Sequence, residues 1–123
     1  MGLSVGIITF NEEKRLERTL ESVKSFADEV IIVDSGSTDK THEIAQKFSA
    51  NFFVESWKGY GLQKNSVIDK CKEDWILLID ADEVISPELK NKIIEIVNQS
   101  KDDVYEINFT SVCFGKKIKH GGW

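Results

Sequence analysis

The chain has 123 residues, 41% of them hydrophobic and 30% charged, with a formal net charge of −5. That length suits one domain, and the composition is that of a folded protein rather than a disordered tail. The acidic balance argues against a broad nucleic-acid-binding surface, and no apolar run approaches the roughly 20 residues that span a bilayer.

Leu3 to Thr9, rich in Val and Ile, reads as a first buried strand. Asn11 is expected to cap the helix that follows, whose apolar Leu16, Leu20, Val23 and Ala27 recur at helical spacing. A second strand, Val30-Ile31-Ile32-Val33, ends at Asp34; Ser35 to Thr38 turn the chain. A short helix then shows Ile44, Ala45 and Phe48 on one side, and residues 51–55 form a short third strand. The segment Gly59-Tyr60-Gly61-Leu62-Gln63-Lys64-Asn65 turns into a helix ending near Cys71 or Lys72. Trp75 to Ile79 is the fourth strand. Ser86-Pro87-Glu88 starts a helix with a capping hydroxyl, a first-turn proline and an acid at the positive dipole end. Leu89, Ile93, Ile96 and Val97 make its buried stripe, and residues 104–109 alternate as a half-covered strand does. Strands joined by helices, with polar residues at the strand carboxyl ends, predict an α/β domain around a mainly parallel sheet.

The sharpest chemical signal is Trp75-Ile76-Leu77-Leu78-Ile79-Asp80-Ala81-Asp82-Glu83, a hydrophobic strand running into two aspartates flanking Ala81. Carboxylates at i and i+2 of an extended backbone point the same way and can reach one hard divalent cation, Mg²⁺ or Mn²⁺, that also carries substrate phosphates. Asp34 lies just beyond a parallel strand, where open α/β sheets place their ligand crevice. It can accept hydrogen bonds from a uracil ring or a ribose, or cap its own loop through the Ser37 and Thr38 amides. Thr9 and Phe10 can line the same crevice, and Glu12 is either a ribose or base acceptor or an exposed first-turn acid. Lys64 can approach a phosphate or stand as a solvated helix lysine. Trp57 and Trp75 read as packing groups, and His42 as a surface histidine. No GxGxxG or GxxxxGK[ST] is present, which argues against a dinucleotide enzyme and a P-loop hydrolase. Cys71 and Cys113 lie in no close pair or His cluster, which argues against structural zinc and for reduced thiols in the cytoplasm.

Three motifs together resemble the nucleotide-diphospho-sugar glycosyltransferases of family 2, with the GT-A fold, a three-layer Rossmann-type domain. They are Leu3-Ser4-Val5 through Ile8-Thr9-Phe10-Asn11-Glu12, Glu29-Val30-Ile31-Ile32-Val33-Asp34-Ser35-Gly36-Ser37-Thr38-Asp39, and Ile79-Asp80-Ala81-Asp82-Glu83. Gly59 to Asn65 and Lys119-His120-Gly121-Gly122-Trp123 look like the bacterial lipopolysaccharide core β-glucosyltransferase branch, which adds glucose from UDP-glucose to an inner-core heptose. The resemblance implies that Thr9, Phe10, Asn11, Glu12 and Asp34 belong to a nucleotide pocket, with Lys64 as the basic group near the donor. It implies that Asp80, Ala81 and Asp82 form the metal motif, holding Mg²⁺ or Mn²⁺ for an inverting displacement. It also implies a general base from sequence beyond Trp123, since neither Glu83, Glu88 nor Glu106 has the right context.

The chain stops on an aromatic residue after two glycines, so the expectation is residues 1–123 as the nucleotide-sugar-binding portion of a larger domain, truncated on its acceptor side. An uncovered strand at 104–109 then predicts a homo-oligomer or a mobile terminus beyond about Cys113. Lys116, Lys117 and Lys119 suit either peripheral contact with an anionic inner-membrane surface or lipopolysaccharide core, or an ordinary solvated run. The competing reading is a non-catalytic nucleotide- or carbohydrate-binding module. An aspartate-dependent phosphotransferase is disfavoured, because its nucleophilic or metal-binding acid normally needs further motifs beyond this loop.

Overall fold

The computed structural model describes residues 2–99, 107–109 and 112–116. In chain order their elements are β1 (Leu3–Thr9), α1 (Leu16–Val23), β2 (Glu29–Asp34), α2 (Thr41–Lys47), β3 (Asn51–Val54), α3 (Tyr60–Lys70), β4 (Trp75–Asp80), α4 (Pro87–Gln99), β5 (Ile107–Phe109) and β6 (Val112–Lys116). The strands form one open sheet in the order β3-β2-β1-β4-β6-β5. β3, β2, β1 and β4 run parallel, whereas β6 is antiparallel to both β4 and β5.

The parallel strands are apolar on both faces, and their period of two sorts them between two helical layers. Leu3, Val5 and Ile7 of β1, Ile32 of β2, and Trp75, Leu77 and Ile79 of β4 meet Leu16, Leu20 and Val23 of α1, Ala45 of α2 and Ile93 of α4. Ile31, Val33, Ile76 and Leu78 point the other way, onto Val67, Ile68 and Cys71 around α3. Gly6 makes that second layer close: a Cβ there would stand 2.4 Å from Val67 Cγ1 and 2.8 Å from Leu78 Cδ2. The expected apolar stripes of α1, α2 and α4 all pack into the first core, and Ser86 caps α4 by accepting the Leu89 amide at 3.2 Å. Trp75 is a packing residue as expected, fully buried and stacked on Phe114 at 5.2 Å between ring centroids.

Chain order sets the crevice. From β1 the chain passes to β2 and then β3 on one side, and α3 carries it back to β4 on the other side of β1. The sheet therefore reverses its winding between β1 and β4, where open α/β sheets bind ligands beyond the strand carboxyl ends. Register brings Ile8 opposite Asp80 and Thr9 opposite Asp34.

Two expectations change. Asn11 does not cap α1: it has a positive φ of 52°, and the helix starts at Leu16 after Arg15, with no side-chain cap. Its short amide tolerates the left-handed conformation and bonds another loop instead. The sheet also continues through β6, a strand not expected from the sequence, which pairs with β4 and gives Ile107–Phe109 a partner within the chain. A Gly-containing five-residue segment shows too little periodicity to be read as a strand; pairing with the edge of β4 supplies what its pattern lacks. The rest of the predicted 104–109 strand and the terminal Lys119-His120-Gly121-Gly122-Trp123 motif lie outside the described residues. Among those described, no helix is long and apolar enough to cross a membrane.

Candidate functional site

A cavity of about 700 Å³ opens at the carboxyl edge of the sheet. Thr9, Phe10 and Glu12 line it from the end of β1 and the loop after it, Ser35 from just after β2, Trp57 from the β3–α3 connection and Tyr60 from the start of α3, and Asp80, Ala81 and Asp82 from the end of β4. Four separate stretches of sequence thus meet around one space.

The aspartate loop is held from behind by α1. Ala81 is buried, and its carbonyl accepts a 2.8 Å hydrogen bond from the buried Thr19 hydroxyl. The Glu83 amide donates to the Asp80 carbonyl at 3.0 Å, and the Ile85 amide to the Ser22 hydroxyl at 3.0 Å. With the middle residue pinned inward, Asp80 and Asp82 line the cavity on either side of it. Arg15 Nη1 lies 3.9 Å from Asp82 Oδ2, but both side chains are more than half exposed, so this pair contributes little stability. Burial raises the Glu12 carboxyl above its usual range; Arg15 opposes that, and Asp82, Asp39 and Asp80 add to it. The three carboxylates that line the cavity, Glu12, Asp80 and Asp82, give it a field suited to a cation.

Asp34 behaves as the knot of its loop. It is 1% exposed, and Oδ2 accepts the Gly36 and Ser37 amides at 2.8 and 2.6 Å. Oδ1 accepts the Thr9 hydroxyl at 2.6 Å and the Ser37 hydroxyl at 2.5 Å. Of the two roles expected for it, loop capping is the one the geometry displays, through Gly36 and Ser37 rather than Ser37 and Thr38; its neighbours Thr9 and Ser35, not Asp34 itself, line the cavity. Gly36 makes the tight turn possible at φ 102°. Asn11 joins this loop to the one after β1: its amide donates to Ser37 Oγ at 2.7 Å, and its Oδ1 accepts the Thr38 amide at 2.9 Å. The Glu12 amide donates to Thr41 Oγ1 at 2.9 Å, a further stitch.

Lys64 is half-buried on α3 and borders a separate small crevice with Gly6, Ile8, Leu78 and Asp80. It shares only Ile8 and Asp80 with the main cavity. Trp57 departs from its expected packing role. It is 50% exposed on the cavity wall, edge-to-face with Tyr60 at 4.9 Å and 89° between ring planes. Two aromatic residues close to Gly59, outside any apolar period, were the signal for that. The support beneath them was also missed. Gln63, fully buried, accepts the Lys58 amide at 3.2 Å and donates to the Glu55 carbonyl at 3.3 Å. Glu55 takes Lys58 at 2.7 Å, Lys70 at 2.6 Å and the Ser66 hydroxyl at 2.6 Å, and these bonds hold its carboxyl down at about 2.

Asp80 and Asp82 are the residues that could hold a metal. Among the described residues no three His, Cys, Asp or Glu side chains converge as a ligand group, so a closed all-protein centre has no donor set. Two carboxylates at an open cavity fit the other arrangement, in which Mg²⁺ or Mn²⁺ takes its remaining ligands from water and substrate phosphates.

The sequence model of glycosyl transferase family 2 matches residues 4–120. A glycosyltransferase of Rickettsia bellii is 50% identical over 103 residues, covering 84% of this chain and 35% of that protein. The lipopolysaccharide core biosynthesis glycosyltransferase LpsC of Rhizobium meliloti is 37% identical over 107 residues, covering 83% and 39%. The chain thus spans little more than a third of the length of these relatives. Among solved structures, S. aureus TarS 1-349 in complex with UDP-GlcNAc superposes with a TM-score of 0.67 at 28% identity, covering 85% of this chain and 33% of that one. Glucosyl-3-phosphoglycerate synthase of Mycobacterium tuberculosis, solved with Mn²⁺, UDP and glucosyl-3-phosphoglycerate, shares the fold at 22% identity and a TM-score of 0.66, covering 81% and 40%.

Proposed function

This chain belongs to glycosyl transferase family 2, and we propose that residues 1–123 are the donor-binding portion of a hexosyltransferase that takes glucose from UDP-glucose. The acceptor in this reading is a sugar of the lipopolysaccharide core, met at the cytoplasmic side of the membrane. The observation that carries the donor half is the placing of Asp80 and Asp82 on one cavity with Thr9, Phe10 and Glu12. The likeness to LpsC supports the acceptor.

A nucleotide sugar is a diphosphate with a nucleoside at one end and a hexose at the other, so it needs a charge-neutralising site flanked by room for two rings. Asp82, the more exposed carboxylate, and Asp80 would hold Mg²⁺ or Mn²⁺. Bound there, the ion would offset the negative charge that develops on the departing diphosphate. Thr9, Phe10, Asn11, Glu12 and Asp34 serve the nucleoside, the segments after β1 and β2 acting as one because Thr9 bonds Asp34 and Asn11 bonds Ser37 and Thr38. Lys64 supplies positive charge behind Asp80. Inversion at the anomeric carbon needs a carboxylate to take the proton of the acceptor hydroxyl, and in this reading that base lies outside residues 1–123.

Calorimetric titration of UDP and UDP-glucose with and without Mn²⁺, on this chain and on Asp82→Asn, tests the reading. Metal-dependent binding that the variant loses is the expected result. A folded chain that binds neither nucleotide would remove donor binding from the function.

A further inference from the structure

Arg15 stands against the acids of the cavity without lining it. Glu12, Asp80 and Asp82 are on the cavity wall, and the Glu12 carboxyl feels the charge of Arg15 as well as those of Asp82, Asp39 and Asp80. The Arg15 backbone is fixed to the aspartate loop. The Thr19 hydroxyl that donates to the Ala81 carbonyl at 2.8 Å also lies 3.5 Å from the Arg15 carbonyl, so one buried side chain ties the two backbones together. The Arg15 amide donates to the Glu12 carbonyl at 3.1 Å and closes the turn into α1. Only the guanidinium is left loose. It lies 3.9 Å from Asp82 Oδ2, beyond hydrogen-bond reach, with both side chains open to water. A pair that holds a fold together is shorter and drier; this one is stationed at Asp82 and easily parted from it.

We infer that Arg15 is the resident counter-ion of Asp82, which opposes a bare divalent ion and so makes the site take up the metal together with a diphosphate. The inference rests on the donor reading above and adds to it how the metal is admitted. Carboxylates gathered with no cation beside them repel one another and draw in any divalent ion. Arg15 relieves that repulsion before a ligand arrives. Its charge also stands against incoming Mn²⁺ or Mg²⁺, which must part Asp82 from the guanidinium. The same ion arriving on a diphosphate has its charge cancelled or reversed by the phosphate oxygens. Arg15 then no longer opposes it and can pair with the phosphates.

One residue thus acts in opposite directions on the two forms of the metal. Arginine suits the task, because its charge persists at every working pH and its planar fork can face a carboxylate or a phosphate. Glu12, already in the field of Arg15, is a second acid to which the guanidinium can turn once a metal takes Asp82.

The test titrates two ligands into the wild-type chain, Arg15→Gln and Arg15→Lys: Mn²⁺ alone, followed by electron paramagnetic resonance, and UDP in saturating Mn²⁺, followed by calorimetry. Removing a unit charge beside a solvent-exposed ion changes its affinity by about threefold to tenfold. Arg15→Gln should therefore bind Mn²⁺ more tightly by that factor and UDP more weakly, while Arg15→Lys, which keeps the charge, should follow the wild type in both. Added salt should shrink both differences, and the urea midpoint should stay in place because the pair is exposed. A merely structural role would lower both affinities together. An Mn²⁺ affinity that fails to rise in Arg15→Gln, a UDP affinity that fails to fall, or Arg15→Lys behaving as Arg15→Gln would each overturn the counter-ion alone, provided the wild type binds UDP with Mn²⁺. A wild type that binds neither ligand would refute the donor reading and the counter-ion with it.

Discussion

Asp34 offers the clearest separation of hydrogen bonding from charge in this site. Asp34→Ala removes the acceptor of four hydrogen bonds at once, from the Thr9 and Ser37 hydroxyls and the Gly36 and Ser37 amides. The losses are unequal. Gly36 is exposed and Ser37 half-buried, so their groups can turn to water, whereas Thr9 is 1% exposed and its hydroxyl has no such outlet. A hydrogen bond to a charged acceptor contributes about 1.5–3 kcal/mol, and a buried polar group left unmade costs about 1–3 kcal/mol. Allowing for rehydration of the loop, the alanine variant should lose roughly 3–5 kcal/mol, a large part of the about 5–15 kcal/mol typical of a domain. Asp34→Asn should lose only about 1–2 kcal/mol. Its amide oxygen can stay on the two backbone N–H groups while its NH₂ donates to the two hydroxyl oxygens, so four contacts survive and only the charge goes. Urea denaturation followed by circular dichroism reads both, as midpoint shifts at constant slope. An alanine variant within about 1 kcal/mol of wild type, or an asparagine variant as damaged as alanine, would refute this account of the loop.

Two further outcomes follow from bonds outside the cavity. Thr19→Val keeps the shape of a buried residue but withdraws the donor to the Ala81 carbonyl, so it should cost about 1–3 kcal/mol and weaken Mn²⁺-dependent UDP binding, while Thr19→Ser should do neither; equal behaviour of the two would separate the aspartate loop from α1. Glu55 is held at about 2 by Lys58, Lys70 and Ser66, below its unfolded value of 4.5, so its contribution is full above that value and fades as pH falls towards 2. With Lys58 40% exposed, that contribution is on the order of 1 kcal/mol. Glu55→Gln should therefore be less stable than wild type at pH 6 and converge with it near pH 2, and a gap independent of pH would exclude the carboxylate as its source.

The order of elements through α4 and the position of the aspartate pair were legible in the sequence, because each depends on local pattern. Short continuous apolar runs define β1, β2 and β4; helical stripes define α1, α2 and α4; and a polar residue after a parallel strand falls at the sheet's carboxyl edge. What the chain order could not convey is which loops meet. Asn11 is a sound capping residue by type, yet the nearness of Ser37 and Thr38 draws it into a bridge between two loops. Asp34 reads equally well as ligand acceptor or loop cap until register sets it beside Thr9 and closes four bonds around it. Trp57 looks like any core tryptophan until the return of α3 across the sheet leaves it on the cavity wall, supported by a buried glutamine whose role depends wholly on distant backbone. An apolar run or a helical stripe acts over a few residues, and those few residues carry it. Contacts between loops are set by the order in which strands assemble, so tertiary structure alone decided how the cavity is furnished.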